Sequence, residues 1–154
     1  DYSLNMMENM SDMVWAINPQ NDNMDSLVSK MKEWAAEICE SREIALHFET
    51  PDSFDNLQID AEKRKHLFLI FKEALNNAVK YSKCQHINIT ISQQGINNIA
   101  VSIHDDGVGF SMENHKKGNG LANMKTRAAQ LNATINIHAI QGQGTIVELV
   151  CRDV

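Results

Sequence analysis

The chain has 154 residues, enough for one ordinary domain with a buried core and a helical appendage. Apolar residues make up 43% and charged residues 22%, which speaks against disorder and against a fibrous architecture. Acidic side chains outnumber basic ones 20 to 14, and no basic block is longer than the EKRK of Glu62 to Lys65, so nucleic acid and anionic membrane surfaces are disfavoured as direct partners.

In chain order, apolar residues at Leu4, Met7, Met10, Val14 and Trp15 keep a helical rhythm that Pro19 closes. Met6, Met7, Met10 and Met13 give that helix a methionine-rich face suited to packing or to a dimer seam. A second helix carries Leu27, Met31, Trp34, Ala35 and Ile38 on one stripe, with Asp22 or Asp25 available as N-cap and an end near Arg42. The run IALHFET then alternates as a strand, stopped by Pro51, and PDSFDNLQ is a turn-rich connection. A third helix spans Ala61 to Ser82, with Leu67, Phe68, Phe71, Leu75, Ala78 and Val79 facing a core. Two strands follow, HINITI and IAVSIHD, joined by a hairpin turn over Gly95 to Asn98.

The polar, glycine-punctuated DGVGFSMENHKKGNG reads as a long loop. After it come a helix over about Leu121 to Leu131, a strand TINIHAI, a QGQG turn and a last strand TIVELVC. Clustered strands with few crossovers predict an α+β fold, a two-layer α/β sandwich whose mixed sheet is covered by helices on one face. Cys39, Cys84 and Cys151 are far apart and odd in number, which fits a reducing cytoplasm better than a disulfide framework or a zinc site. No apolar run approaches a membrane span, and the first residues lack a signal-peptide pattern.

Three glycine stretches fall at predicted strand ends or at a helix start: DDGVG at Asp105, GNGL at Gly118 and GQGT at Gly142. Each alone is a turn by its chemistry, although GNGL opens a helix, where free amides and the positive dipole end favour phosphate. Neither common nucleotide fingerprint is present, the G-x-x-x-x-G-K-[ST] loop or a strand-linked G-x-G-x-x-G. On the third helix Glu73, Asn77 and Lys80 share a face. Spacing leaves two readings open: a solvated flank with a Glu to Asn hydrogen bond, or a magnesium and phosphate site in which an amide oxygen, a carboxylate and an ammonium meet the ligand.

The order of the pieces goes further. EALNNAVKY, DDGVG, GNGL and GQGT, in that sequence, resemble the N, G1, G2 and G3 boxes of the ATP-binding domain of sensor histidine kinases, the ATPase fold shared with gyrase, Hsp90 and MutL. The segment GNGLANMKTRAAQLNATINI looks like the kinase family paired with response regulators of the LuxR or NarL type. The resemblance covers about Ile44 to Val150 and implies ATP and magnesium as cofactors.

It also implies roles. Asn77 matches the magnesium-ligating asparagine and Glu73 the acidic residue one turn earlier that orients a water or the attacking group. Lys80 matches a basic residue facing the phosphates, and Tyr81 a position beside the nucleotide. Asp105 matches the carboxylate that accepts from the adenine amino group, with Gly107 and Gly109 letting the chain pass close to the base. Gly118 and Gly120 flank the lid and the helix start that receive the phosphates, Leu121 packs below, and Thr145 supports adenine beside Asp105. Asn76 matches no catalytic position and is given a polar-packing role.

None of the six histidines sits in the acidic helical context of a phosphoacceptor, so that acceptor is expected upstream of Asp1. Residues 6–39 resemble the second dimerisation helix and its passage into the ATP-binding domain. The expected division is 1–42 for the end of a dimerisation region with its linker and 43–154 for the catalytic domain. The full protein is then a homodimer through that region, with membrane anchoring left open. Two other readings are a non-catalytic signal-relay module, against which Glu73, Asn77 and Asp105 speak, and a related ATPase or protein serine kinase, against which the dimerisation-like leader speaks.

Overall fold

The structure is a computed structural model that describes residues 14–15, 18, 22–55, 57–81, 83–108 and 120–154. The proposed leader helix and most of the glycine-rich loop therefore lie outside the described residues, apart from Val14, Trp15 and Asn18.

The first described full helix, α1, is Met24–Ser41, and it buries Met24, Leu27, Val28, Met31, Ala35 and Cys39 along one face. Trp34 and Ile38, expected on that stripe, lie at its partly buried margin. The expected caps need correction. Asn23 is the N-cap, its Oδ1 accepting from the Ser26 amide at 2.8 Å. Asp25 is occupied elsewhere, accepting from the Phe54 amide at 3.0 Å. Asp22 uses its carbonyl, which accepts from the Ile59 amide at 2.8 Å.

Strand β1 is Ala45–Glu49 and helix α2 is Ala61–Tyr81. All six residues expected on the apolar face of α2 are buried. Its first turns add Arg64, 2% exposed, whose guanidinium donates to the Ile59 carbonyl at 2.6 Å and the Asn18 carbonyl at 3.4 Å. A buried guanidinium keeps its charge only with such acceptors around it, so Arg64 ties α2 to the segments before and after α1. The two helices also meet through aromatic groups. Trp34 lies edge-on to Phe71 with centroids 6.3 Å apart, and the Lys72 ammonium sits 5.1 Å from the Trp34 ring.

The hairpin consists of β2, His86–Gln94, and β3, Asn98–Asp105, joined through Gly95 at φ +70°. Helix α3, Gly120–Gln130, leads into β4, Ala133–Ile140, and β5, Gly144–Cys151. The sheet order is β1-β2-β3-β5-β4, parallel between β1 and β2 and antiparallel elsewhere. Ile87, Ile89 and Ile91 of β2 and Ile99, Val101 and Ile103 of β3 point into the core, while the alternate residues are partly or fully exposed. One face is therefore covered by α1, α2 and α3, as the sequence predicts, and the other is open. A cavity of about 10 Å³ between α2 and the sheet, lined by Leu67, Phe71, Val101 and Leu149 among others, is apolar and too small for a ligand.

Candidate nucleotide-binding site

Connectivity brings four segments to one end. Helix α2 runs into β2, whose Ile87 pairs with Asp105 at the end of β3, and Asp105 pairs in turn with Thr145 at the start of β5. Helix α3 enters β4 at the end of that strand opposite to the Asp105 end, so the helix runs away from the Asp105 end of the sheet. The turn between β4 and β5 closes the group, because the Gly142 amide donates to the Val108 carbonyl. Of the residues singled out in the sequence, this arrangement gathers Asp105, Gly107 and Thr145 and puts the C-terminal turns of α2, with Asn77, Lys80 and Tyr81, at the same end. Gly109 and Gly118 lie outside the described residues.

Asp105 is the buried polar centre of this end, 3% exposed. Its Oδ1 accepts from the Gly107 amide at 2.9 Å, and the Thr145 amide also donates to it. Burial nevertheless pushes its carboxyl above the ordinary aspartate range, the two amides and His104 only partly offsetting the lost hydration. A carboxylate held under this penalty gains from one further donor. The close approach here is enforced at Gly144, which has φ +96°; a Cβ built there would lie 2.2 Å from the Asp105 carbonyl oxygen. The turn chemistry of GQGT signalled the glycine, but not that Asp105 is the group it must clear.

Glu73 and Asn77 are half-buried and Lys80 is exposed. Among the described residues none of the three side chains has a hydrogen-bond or ion-pair partner, and the Glu73 to Asn77 bond expected of a plain solvated flank is not formed. An amide oxygen and a carboxylate one turn apart without partners suit a hard divalent ion, which takes one or two protein groups and completes its shell with water and phosphate. No cluster of three or more His, Cys, Asp or Glu side chains able to hold a metal occurs among the described residues.

Two supporting contacts escaped the sequence reading. Asp106, next to Asp105, is a clamp: its Oδ1 accepts from the amides of Gln85 at 2.8 Å and His86 at 2.9 Å, and its Oδ2 meets the His86 Nδ1 at 2.7 Å. These contacts with His86 and Gln85 hold its carboxyl down at about 2, against an ordinary 3.8. Its stabilising share is therefore complete above pH 4 or so and lost as pH falls through about 2. Urea midpoints followed into that acid range should fall in the parent protein, and the fall should be shallower in Asp106→Ala. The side chain is 46% exposed, so solvent keeps the effect small.

The second contact is at His66, which is buried against α3 with Nδ1 3.4 Å from the Arg127 guanidinium and Nε2 3.3 Å from Glu62. Burial, with Lys65 and Arg127 nearby, lowers its pKa, so it stays neutral and accepts from Arg127. It thereby ties the last turn of α3 to α2.

A mixed sheet with helices on one face, an end-on site and a buried aspartate fenced by glycine turns defines an ATPase-type α/β sandwich. Residues 62–153 match the family described as Histidine kinase-, DNA gyrase B-, and HSP90-like ATPase, and the chain belongs to that family. Among curated relatives, the oxygen sensor histidine kinase NreB of Staphylococcus carnosus is 34% identical over 106 residues, 68% of this chain and 30% of that protein. The sensor histidine kinase LiaS of Bacillus subtilis is 33% identical over 87 residues, 54% of this chain and 23% of its own length. The chain thus spans less than a third of either relative. In fold it is similar to the histidine kinase domain of the blue-light activated kinase of Erythrobacter litoralis EL346, with a TM-score of 0.73 at 18% identity over 94% of this chain and 75% of that one. Among the described residues no helix is long and apolar enough to cross a membrane.

Proposed function

We propose that the chain is the ATP-binding catalytic part of a sensor histidine kinase, which positions ATP for in-line transfer of its γ-phosphoryl group to a histidine on a dimerisation helix. The observation that carries this reading is Asp105: a carboxylate 3% exposed, fenced by Gly107 and Thr145, at the end of the sandwich where the Asn77 face of α2 ends. It suits the adenine amino group, a donor that bulk water would otherwise satisfy. Asn77 would hold magnesium and Glu73 a metal-bound water, and the ion would supply neutralisation of the phosphate charge. Glu73 orients the attacking group, Lys80 meets phosphate, and Tyr81 lies beside the nucleotide. Gly107 and Gly109 let the chain pass close to the base, and Gly118 and Gly120 flank the lid and the helix start that receive the phosphates, with Leu121 below. Catalysis in this arrangement comes from positioning and charge neutralisation.

In the same reading residues 1–42 carry the end of a dimerisation region and its linker, and 43–154 the ATP-binding domain, against which α1 packs. The whole protein works in the cytoplasm as a homodimer and passes its phosphoryl group to a response regulator of the LuxR or NarL type. The histidines available here support an acceptor elsewhere: His47 and His138 lie in strands, His66 is buried in α2, and His86 and His104 lie in the β2–β3 hairpin.

Calorimetry tests the metal arm. Asn77→Ala should weaken ADP binding about tenfold when magnesium is present and little when it is chelated, the loss of roughly one charge-assisted contact. Equal affinities with magnesium would remove Asn77 from the site. A longer chain that includes the upstream helix should acquire an acid-labile phosphoryl group from ATP; one that binds ATP and never labels would favour the signal-relay reading.

A further inference from the structure

The buried carboxylate and the Asn77 face of α2 belong to separate elements, and the strand ladder that joins them ends with the pair Ile87 and Asp105. Beyond that pair β3 passes into the turn that carries Gly107. On the other side the chain arrives from Tyr81, the end of α2, through a connection that turns at Lys83, where φ is +55°. A lysine just beyond a helix, in the left-handed region, stands where glycine is usual, so the surroundings and not the residue's own preference hold this connection.

Asp106 supplies much of that hold. Its amide donates to the His86 carbonyl at 3.2 Å. Its Oδ1 takes both amides of the strand entry, Gln85 at 2.8 Å and His86 at 2.9 Å, and its Oδ2 meets the His86 ring at 2.7 Å. One carboxylate thus continues the pairing of β2 with β3 at the point where the ladder stops. From the opposite side β5 fixes the same segment: the Asp105 carbonyl oxygen and the Asp106 Cα lie 2.2 and 3.4 Å from a Cβ built at Gly144. The two aspartates divide the work between inside and outside. Asp105 is 3% exposed and accepts from Gly107, whereas the Asp106 side chain is 46% exposed and reaches along the surface to β2.

We infer that Asp106 is a positioning residue for nucleotide binding: by clamping the α2–β2 connection to the strand end beside Asp105, it sets the base carboxylate in register with the Asn77 face of α2. The role rests on the proposed nucleotide site, and Asp106 acts there through Asp105 and α2 without touching the ligand. A ligand that spans both parts, base and phosphates, gains from having them in register, because seating one end raises the effective concentration of the other. A ligand that engages the base alone has no such gain to lose.

Calorimetry with ADP and magnesium, beside adenosine titrations followed by NMR, tests the inference on this chain. Asp106→Ala should weaken ADP binding about tenfold and adenosine binding by no more than about twofold. Asp106→Asn keeps an oxygen for the Gln85 and His86 amides and should recover most of the ADP loss. A purely structural role would instead lower both ligands by the same factor, that of the unfolded fraction, which the urea midpoint reads separately. Equal factors for the two ligands, or parent-like ADP affinity in Asp106→Ala, overturn the positioning role and leave Asp105 in the site. An asparagine variant as weak as the alanine one also overturns it, because the effect then belongs to charge and not to the clamp. A parent chain that binds neither ligand removes the nucleotide site itself, and the role of Asp106 falls with it.

Discussion

Asp105→Asn should lower ADP affinity roughly 10- to 100-fold while the domain stays folded. The size follows from replacing a charge-assisted hydrogen bond, worth about 1.5–3 kcal/mol, by an amide that cannot present the same acceptor pair. The direction is set by three observations. The carboxylate is buried, two backbone amides already point at it, and burial still raises its pKa above the ordinary aspartate value. Asparagine keeps one oxygen for those amides but turns an N–H toward any incoming donor. The same environment gives a pH signature. A carboxyl whose folded pKa is raised takes up its proton at a higher pH than a free aspartate, so acidification should weaken ADP binding of the parent protein above the ordinary aspartate range, and the asparagine variant should lack that limb. In the free protein the sign is opposite, because a raised folded pKa means that protonated Asp105 favours folding and the ionised form costs stability once pH rises through it. Calorimetry across the acid range measures the first and urea unfolding the second. Unchanged affinity in Asp105→Asn would detach this residue from the base.

The second large effect is expected at Gly144→Ala, which should destabilise the domain by about 2–4 kcal/mol and reduce nucleotide binding in the fraction that remains folded. Two costs coincide at this position. The backbone has φ +96°, a conformation that a side chain rarely adopts, and the added Cβ would meet the Asp105 carbonyl oxygen at 2.2 Å and its carbonyl carbon at 3.2 Å. These are backbone atoms of β3, so relief requires the β3 and β5 ends to part, which displaces Asp105 and Thr145 together. Gly95→Ala serves as the comparison. There φ is +70° and nothing lies within 4 Å of the added carbon, so only the left-handed penalty of about 1 kcal/mol applies. Equal denaturation midpoints for the two variants would show that the strand ends yield freely.

These two positions separate what each level of description supplies. The sequence by itself determined the elements: the apolar spacing of α2 matched burial at all six expected residues, and period-two alternation found β2, β3, β4 and β5 to within about three residues of their ends. It did so because periodicity is local, each side chain's face following from its own place in a helix or strand. The order of four short motifs likewise carried the ATPase resemblance, since chain order is itself a sequence property.

What only the tertiary structure decided depends on competition between distant groups. Asp22, Asn23 and Asp25 are all able to cap α1, and Asn23 does so because the Asp25 carboxylate is occupied by the Phe54 amide, 29 residues away. Arg64 reads as one more charge in EKRK until the Ile59 and Asn18 carbonyls close over it, and Asp106 reads as a spare copy of Asp105 until Gln85 and His86 claim it. The parallel pairing of β1 with β2 and the edge position of β4 follow from sheet order, which no local pattern encodes. Spacing made Glu73, Asn77 and Lys80 neighbours on a helix; the fold carries the end of that helix to the buried carboxylate, because α2 must run into β2 at the strand end that pairs with Asp105.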